Sequence, residues 1–183
     1  MSEAIDIVRL AGEKIDLCVR RTDEEALKLY LKWMNDETFN WYIGKHGKVT
    51  GITEEREWMN KKPEEGQYNF SIVEKATRKL IGNCGFTVHR DHFSGSLGIC
   101  IGEHDMWNKG YGTEAIKMMI DYGFKELNLH RMCLTVCDDN DRAQACYKKA
   151  GLTVCGTDHE IEFHQGEWRS LIRMEILNPD HKK

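Results

Sequence analysis

Residues 96 to 136 limit what this chain can fold into more than any other stretch. They read as strand, glycine loop, long helix and strand in direct succession. From Ser96 to Ile101, apolar Leu97, Ile99 and Ile101 alternate with small residues, the period of a strand. Trp107-Asn108-Lys109-Gly110-Tyr111-Gly112-Thr113-Glu114-Ala115 comes next and runs into a helical pattern. In that pattern Ala115, Met118, Met119 and Tyr122 fall on one face. Arg131 to Val136 alternates again. A crossover of this kind commits the chain to a sheet with helices packed on it.

The loop inside this crossover also carries chemistry. The first amides of a helix lack intrahelical partners and sit at the positive end of its dipole. Gly110 and Gly112 let the backbone approach an anion without a Cβ in the way. A pyrophosphate suits such a loop, with Lys109 adding charge from the side. The P-loop spacing is absent. So is the dinucleotide fingerprint, because Ala115 stands where its third glycine belongs. About thirty residues on, Asn140-Asp141-Arg142-Ala143-Gln144-Ala145-Cys146-Tyr147-Lys148-Lys149-Ala150-Gly151 predicts a short helix. Asn140 or Asp141 caps it, one tyrosine lies within it, and a glycine stands just past its end.

The remaining pattern predicts two short strands at residues 5–10 and 14–20, turning at Ala11-Gly12-Glu13. A capping box, Thr22-Asp23-Glu24-Glu25, opens a helix through Ala26, Leu27, Tyr30 and Trp33. Gly44 to Gly51 is a polar, basic loop, and a second helix runs from Thr53 to Lys62 before Pro63. Strands follow at Tyr68–Glu74 and Lys79–His89, and a late hairpin joins Leu152–His164 to Glu167–Leu177 through Gln165-Gly166. The whole is a mixed α/β (α+β) fold. No composition break or repeat divides the 183 residues, so a single domain covers 1–183, its core spanning about 6–177.

Hydrophobic residues make up 40% and charged residues 31%, as in a folded soluble domain. The net charge of −4 argues against nucleic acid as a partner and suits a cationic one such as an amine. Seven cysteines, odd in number and without a Cys-x-x-Cys, read as free thiols in a reducing cytoplasm. The acidic Met1 to Asp6 is not a signal peptide, and no run reaches the roughly 18 apolar residues of a membrane span. No cluster has metal-ligand spacing, so no metal is expected.

The loop and the tyrosine helix, in this order and spacing, resemble the GNAT superfamily of acetyl-CoA-dependent N-acetyltransferases. The similarity runs over about residues 6–177 and is strongest from Leu97 to Leu177. The family's usual loop pattern is Gln/Arg-x-x-Gly-x-Gly/Ala. Trp107 stands where Gln or Arg is usual, as in the branch similar to ribosomal-protein N-terminal and spermidine acetyltransferases. The resemblance implies a central, mostly antiparallel sheet with flanking helices, in which strands 96–101 and 131–136 splay apart around the thioester. It implies that Cys100, Ile101 and Gly102 offer backbone groups to pantetheine, and that Trp107, Asn108, Lys109, Gly110, Tyr111, Gly112 and Thr113 wrap the pyrophosphate. Asn140, Ala143, Tyr147 and Lys149 would border the thioester arm.

It further implies acetyl-CoA as co-substrate and a primary amine as acceptor: a protein N-terminus, a polyamine or another small amine. The amine attacks directly in a ternary complex. Tyr147 is placed by analogy as the acid that protonates the leaving thiolate. The strand before the loop lacks the glutamate many relatives carry; Glu103, His104 and Asp105 follow it and any of them could relay a proton through water, with Glu103 as the base or water relay. Glu160 and Glu162, alternating with Ile161 and Phe163, share a strand face near the acceptor entrance in similar enzymes. A homodimer is the common default for such proteins. A non-catalytic acyl-CoA-binding sensor, or an interaction module, would use the same fold without the turnover.

Overall fold

The computed structural model describes residues 6–43, 48–164 and 166–181. Ile5, Gly44 to Gly47 and Gln165, on which parts of the expected first strand, basic loop and late turn fall, lie outside them. Within the described residues eight strands form one sheet in the order β1-β2-β3-β4-β5-β6-β8-β7. The first five, β1 (Val8–Ala11), β2 (Ile15–Val19), β3 (Gln67–Glu74), β4 (Leu80–His89) and β5 (Ser94–Ile101), pair antiparallel with their sequence neighbours. Helix α4 (Tyr111–Lys125) then crosses over to β6 (Arg131–Cys137), which pairs parallel with β5. The sheet closes with β8 (Glu167–Leu177) on β6 and β7 (Thr153–His164) at the edge. Mostly antiparallel pairing with one parallel crossover is the mixed architecture that the sequence pattern predicts.

Helix α4 packs because Tyr111, Ala115, Ile116, Met119, Ile120 and Gly123 form one buried stripe at helical spacing. Gly123 is a close-approach position: a Cβ there would lie 2.9 Å from Met132 Sδ on β6. This stripe meets Ile15, Leu17, Ile72, Ile81 and Met132, all fully buried, in the main core. Each such side chain contributes about 1.5–3 kcal/mol on burial.

A second, smaller core lies on the other side. Helix α1 (Glu24–Met34) buries Ala26, Leu27, Tyr30, Trp33 and Met34 against α2 (Glu37–Tyr42), α3 (Ile52–Asn60) and Leu80. The cap of α1 is Asp23, not the Thr22 of the expected box; its carboxylate accepts from the amides of Glu25 and Ala26 at 3.1 Å each. Asp23 also receives Arg21 at 2.8 Å, a bond Thr22 cannot make, and that pairing selects the cap. Helix α2 was not predicted as a separate element. Asp36 caps it through the Phe39 amide at 2.8 Å, and its six residues are too few to show a period. All seven cysteines are free. Among the described residues no helix is long and apolar enough to cross a membrane.

Candidate functional site

The site exists because two neighbouring strands stop pairing. β5 and β6 meet at only three residue pairs, Ser94–Arg131, Gly95–Met132 and Ser96–Cys133. Both strands continue, to Ile101 and to Cys137, without further pairing. Between them lies a cleft of about 1050 Å³, with Leu97 to Ile101 on one wall and Leu134 to Val136 on the other. The splay is therefore present, between the strands for which it was expected.

The ladder decides which backbone groups face the cleft. Gly102 N–H donates to Ile81 O at 3.0 Å, and bonds of an antiparallel pair alternate from there. Cys100 and Gly98, opposite Asn83 and Gly85, therefore turn their backbone toward β4. Leu97, Ile99 and Ile101 turn theirs toward the gap. The Ile101 carbonyl is already taken by Trp107 Nε1 at 2.7 Å, which leaves the amides of Ile99 and Ile101 facing inward. Of the three residues expected to offer backbone groups, Ile101 does face the gap. Gly102 and Cys100 direct theirs to β4, and Gly102 is instead a glycine for packing: a Cβ there would lie 2.0 Å from the Trp33 ring.

At the open end of the splay, Gly110 adopts φ 90° and serves as N-cap of α4, with no side chain bonding the first amides. Only glycine takes that conformation without strain. Lys14, Lys109, Lys117 and Lys149 all line the cleft, so an unsatisfied helix N-terminus and a cluster of cations share one space. The loop is braced on three sides. Tyr111 OH donates to Glu74, which pushes the phenol pKa up through that bond and then through burial. Thr113 Oγ1 donates to Cys146 Sγ at 3.4 Å. Glu114 Oε1 accepts the amides of Glu13 and Lys14 at 2.6 and 2.9 Å, bringing the β1–β2 turn to the loop.

Trp107 anchors an aromatic column. Its indole bonds β5, His104 stacks on it at 4.1 Å, and the Arg142 guanidinium lies 3.3 Å from its centroid. Arg142 also stands 5.9 Å from the Tyr42 ring of α2. Burial pushes the Arg142 pKa down. Arg142 and the Gly12–Lys14 turn join the site through contacts of long separation, which leave no local pattern in the sequence.

Helix α5 (Asp141–Lys149) places the tyrosine. Asn140 caps it, accepting from Ala143 N at 3.1 Å, and Gly151 at φ 102° ends it. Asn140, Ala143, Tyr147 and Lys149 all line the cleft. Tyr147 is 9% exposed, and burial pushes its hydroxyl pKa well up, with Cys146 and Cys100 adding to it. The hydroxyl therefore stays protonated at neutral pH and has a proton to give.

The expected acidic groups stand elsewhere. Glu103 does not line the cleft. It holds α1 to the end of β5, accepting Lys32 Nζ at 2.8 Å and Trp33 Nε1 at 2.8 Å. Burial raises its pKa, but these two bonds outweigh that and leave it below the ordinary range, which makes it a weak base. Glu160 and Glu162 do not share a regular strand face. The β7–β8 register shifts between Asp158 and Glu162, and Glu160 takes φ 49° in that bulge. Glu160 is exposed, Glu162 half-buried, and neither lines the cleft.

The family model described as acetyltransferase (GNAT) domain matches residues 16–153. The probable N-acetyltransferase YjcK of Bacillus subtilis is 30% identical over 145 residues, 78% of this chain and 77% of that protein. Spermidine N(1)-acetyltransferase of Escherichia coli K12 is 41% identical over 69 residues, 38% of this chain. The chain spans under two fifths of the length of the first curated relatives it matches, 39% and 37%. The crystal structure of spermidine N-acetyltransferase from Vibrio cholerae in complex with CoA and spermine superposes with a TM-score of 0.78. It is 24% identical and covers 90% of this chain and 96% of its own.

Proposed function

Because this chain belongs to the GNAT acetyltransferase family, we propose that it moves an acetyl group from acetyl-CoA to a primary amine, within one domain covering residues 1–183. The observation that carries this reading is the joining of three features in one cleft. A glycine-opened helix N-terminus with lysines lies at its mouth, two inward amides line its wall, and a buried tyrosine lines it too.

The lysines and the first amides of α4 hold the donor's phosphates, and the edge of β5 holds its pantetheine arm. The amide of Ile99 or Ile101 bonds the carbonyl oxygen as it gains charge during attack. Tyr147 gives its proton to the departing sulfur. An alkylamine with pKa near 10.4 must first shed a proton, which costs roughly 4–5 kcal/mol at pH 7. With Glu103 held by Lys32 and Trp33, a water relay in the cleft takes that proton. Polyamines and protein N-termini are the acceptor classes, and the relatives' names support polyamines.

The test is thiol release from acetyl-CoA across a panel of spermidine, spermine and peptides with free N-termini. Turnover with any of them supports the enzyme. Tight acetyl-CoA binding with no turnover would leave a sensor of acyl-CoA in its place.

A further inference from the structure

We infer that Arg142 is a specificity-determining residue for the acyl donor, binding one of its phosphate groups from a platform formed by Trp107. This rests on the reading of the cleft as an acyl-CoA site. Three observations carry it.

The first is placement. Arg142 is the second residue of α5, directly after the end of β6, while Trp107 follows the end of β5. The guanidinium thus reaches across the mouth of the splay, onto the residue that opens the glycine loop. Lys109 and the N-terminus of α4 belong to the same loop.

The second is satisfaction. Arg142 Nη1 is buried and has no hydrogen-bond partner among the described residues. A guanidinium carries five donors in a rigid fork and is always charged. Leaving one donor buried and unpaired is costly unless a ligand completes it.

The third is pre-organisation. The ring of Trp107 is itself fixed, by its bond to Ile101 O and by the stacked His104. His104 Nε2 in turn lies 3.1 Å from Asp36 Oδ1, the cap of α2. A planar cation held on a fixed ring is pre-oriented, and its fork matches a phosphate in two-point fashion. Lysine has neither the plane nor the fork.

The experiment measures affinity for CoA, 3′-dephospho-CoA and pantetheine, by tryptophan fluorescence or calorimetry, on the full chain and its Arg142→Gln and Arg142→Lys variants. Arg142→Gln is expected to weaken CoA by tenfold or more and pantetheine by less than twofold. Arg142→Lys should recover only part of the loss. If the loss persists with 3′-dephospho-CoA, the partner is the pyrophosphate; if it disappears, the partner is the 3′-phosphate. An equal loss on CoA and pantetheine, or none on either, overturns the inference, and Arg142 is then a packing residue. Failure of the parent chain to bind CoA at all would instead overturn the acyl-CoA reading.

Discussion

At the scale of single residues, two side chains show how burial and partners fix a role. Tyr147 is the sharper case. If its hydroxyl protonates the thiolate, Tyr147→Phe lowers kcat by roughly 10²–10⁴ and leaves donor affinity nearly unchanged, because the ring remains. Steady-state kinetics with calorimetric binding on one preparation checks this. Near-normal turnover would return Tyr147 to a packing role. Asp23 is structural. Losing its cap in Asp23→Ala costs about 1 kcal/mol, a fall in Tm of roughly 2–4 °C for a chain of this size. The Arg21 hydrogen bond holds its carboxyl down at about 2, below the ordinary value near 3.9. A depressed carboxylate stabilises the fold fully above its unfolded pKa. The parent's advantage over Asp23→Ala should therefore shrink as pH falls from about 4 toward 2. Thermal melts across that range read it directly, and a pH-independent difference would count against the ion pair.

At the scale of elements, the α4 loop and α5 were legible because their signals are local. A glycine with positive φ, a cap three residues from its amide and a stripe at helical spacing all act within a turn or two. Gly110, Asn140 and Gly151 were found for that reason. What was not legible depends on distant partners. Nothing local marks the role of Glu114, whose partners, the Glu13 and Lys14 amides, arrive from about a hundred positions away. Glu103 reads as a free carboxylate until α1 brings Lys32 and Trp33 to it. Glu160 and Glu162 read as strand alternation, because a bulge is set by the partner strand's register. The loop itself can be probed with Gly112→Val. A Cβ at Gly112 would lie 3.3 Å from Cys146 Sγ and 3.9 Å from Ile99 Cδ1, so a branched side chain intrudes where donor and loop meet. Acetyl-CoA affinity should fall at least tenfold, about 1.4 kcal/mol, with ligand-free melting as the folding control. Unchanged affinity in a folded variant would remove the loop from the binding site.

For the whole molecule, the eight-stranded sheet and the crossover followed from alternation and turns, while the splay came only from family resemblance. Its consequence reaches beyond the cleft. Three rungs make a seam in the ladder, so β1 to β5 and the β6–β8–β7 unit share few backbone bonds and are joined mainly through the core under α4. Local opening in folded proteins follows such joints. Without ligand, the gap-facing amide of Thr135 should exchange with solvent faster than those of Ile72 and Val73 in the middle of the first block. A donor lying along β5 and bonding across the gap would act as the absent rungs. Loading with acetyl-CoA should then slow exchange at Ile99, Ile101 and Thr135 together, and raise the melting temperature in proportion to the logarithm of its concentration. Exchange mass spectrometry that showed protection confined to the glycine loop would mean that the two blocks stay independent. If protection does spread, acetyl-CoA works here as a removable structural member, and the chain's rigidity reports how much of it the surroundings supply.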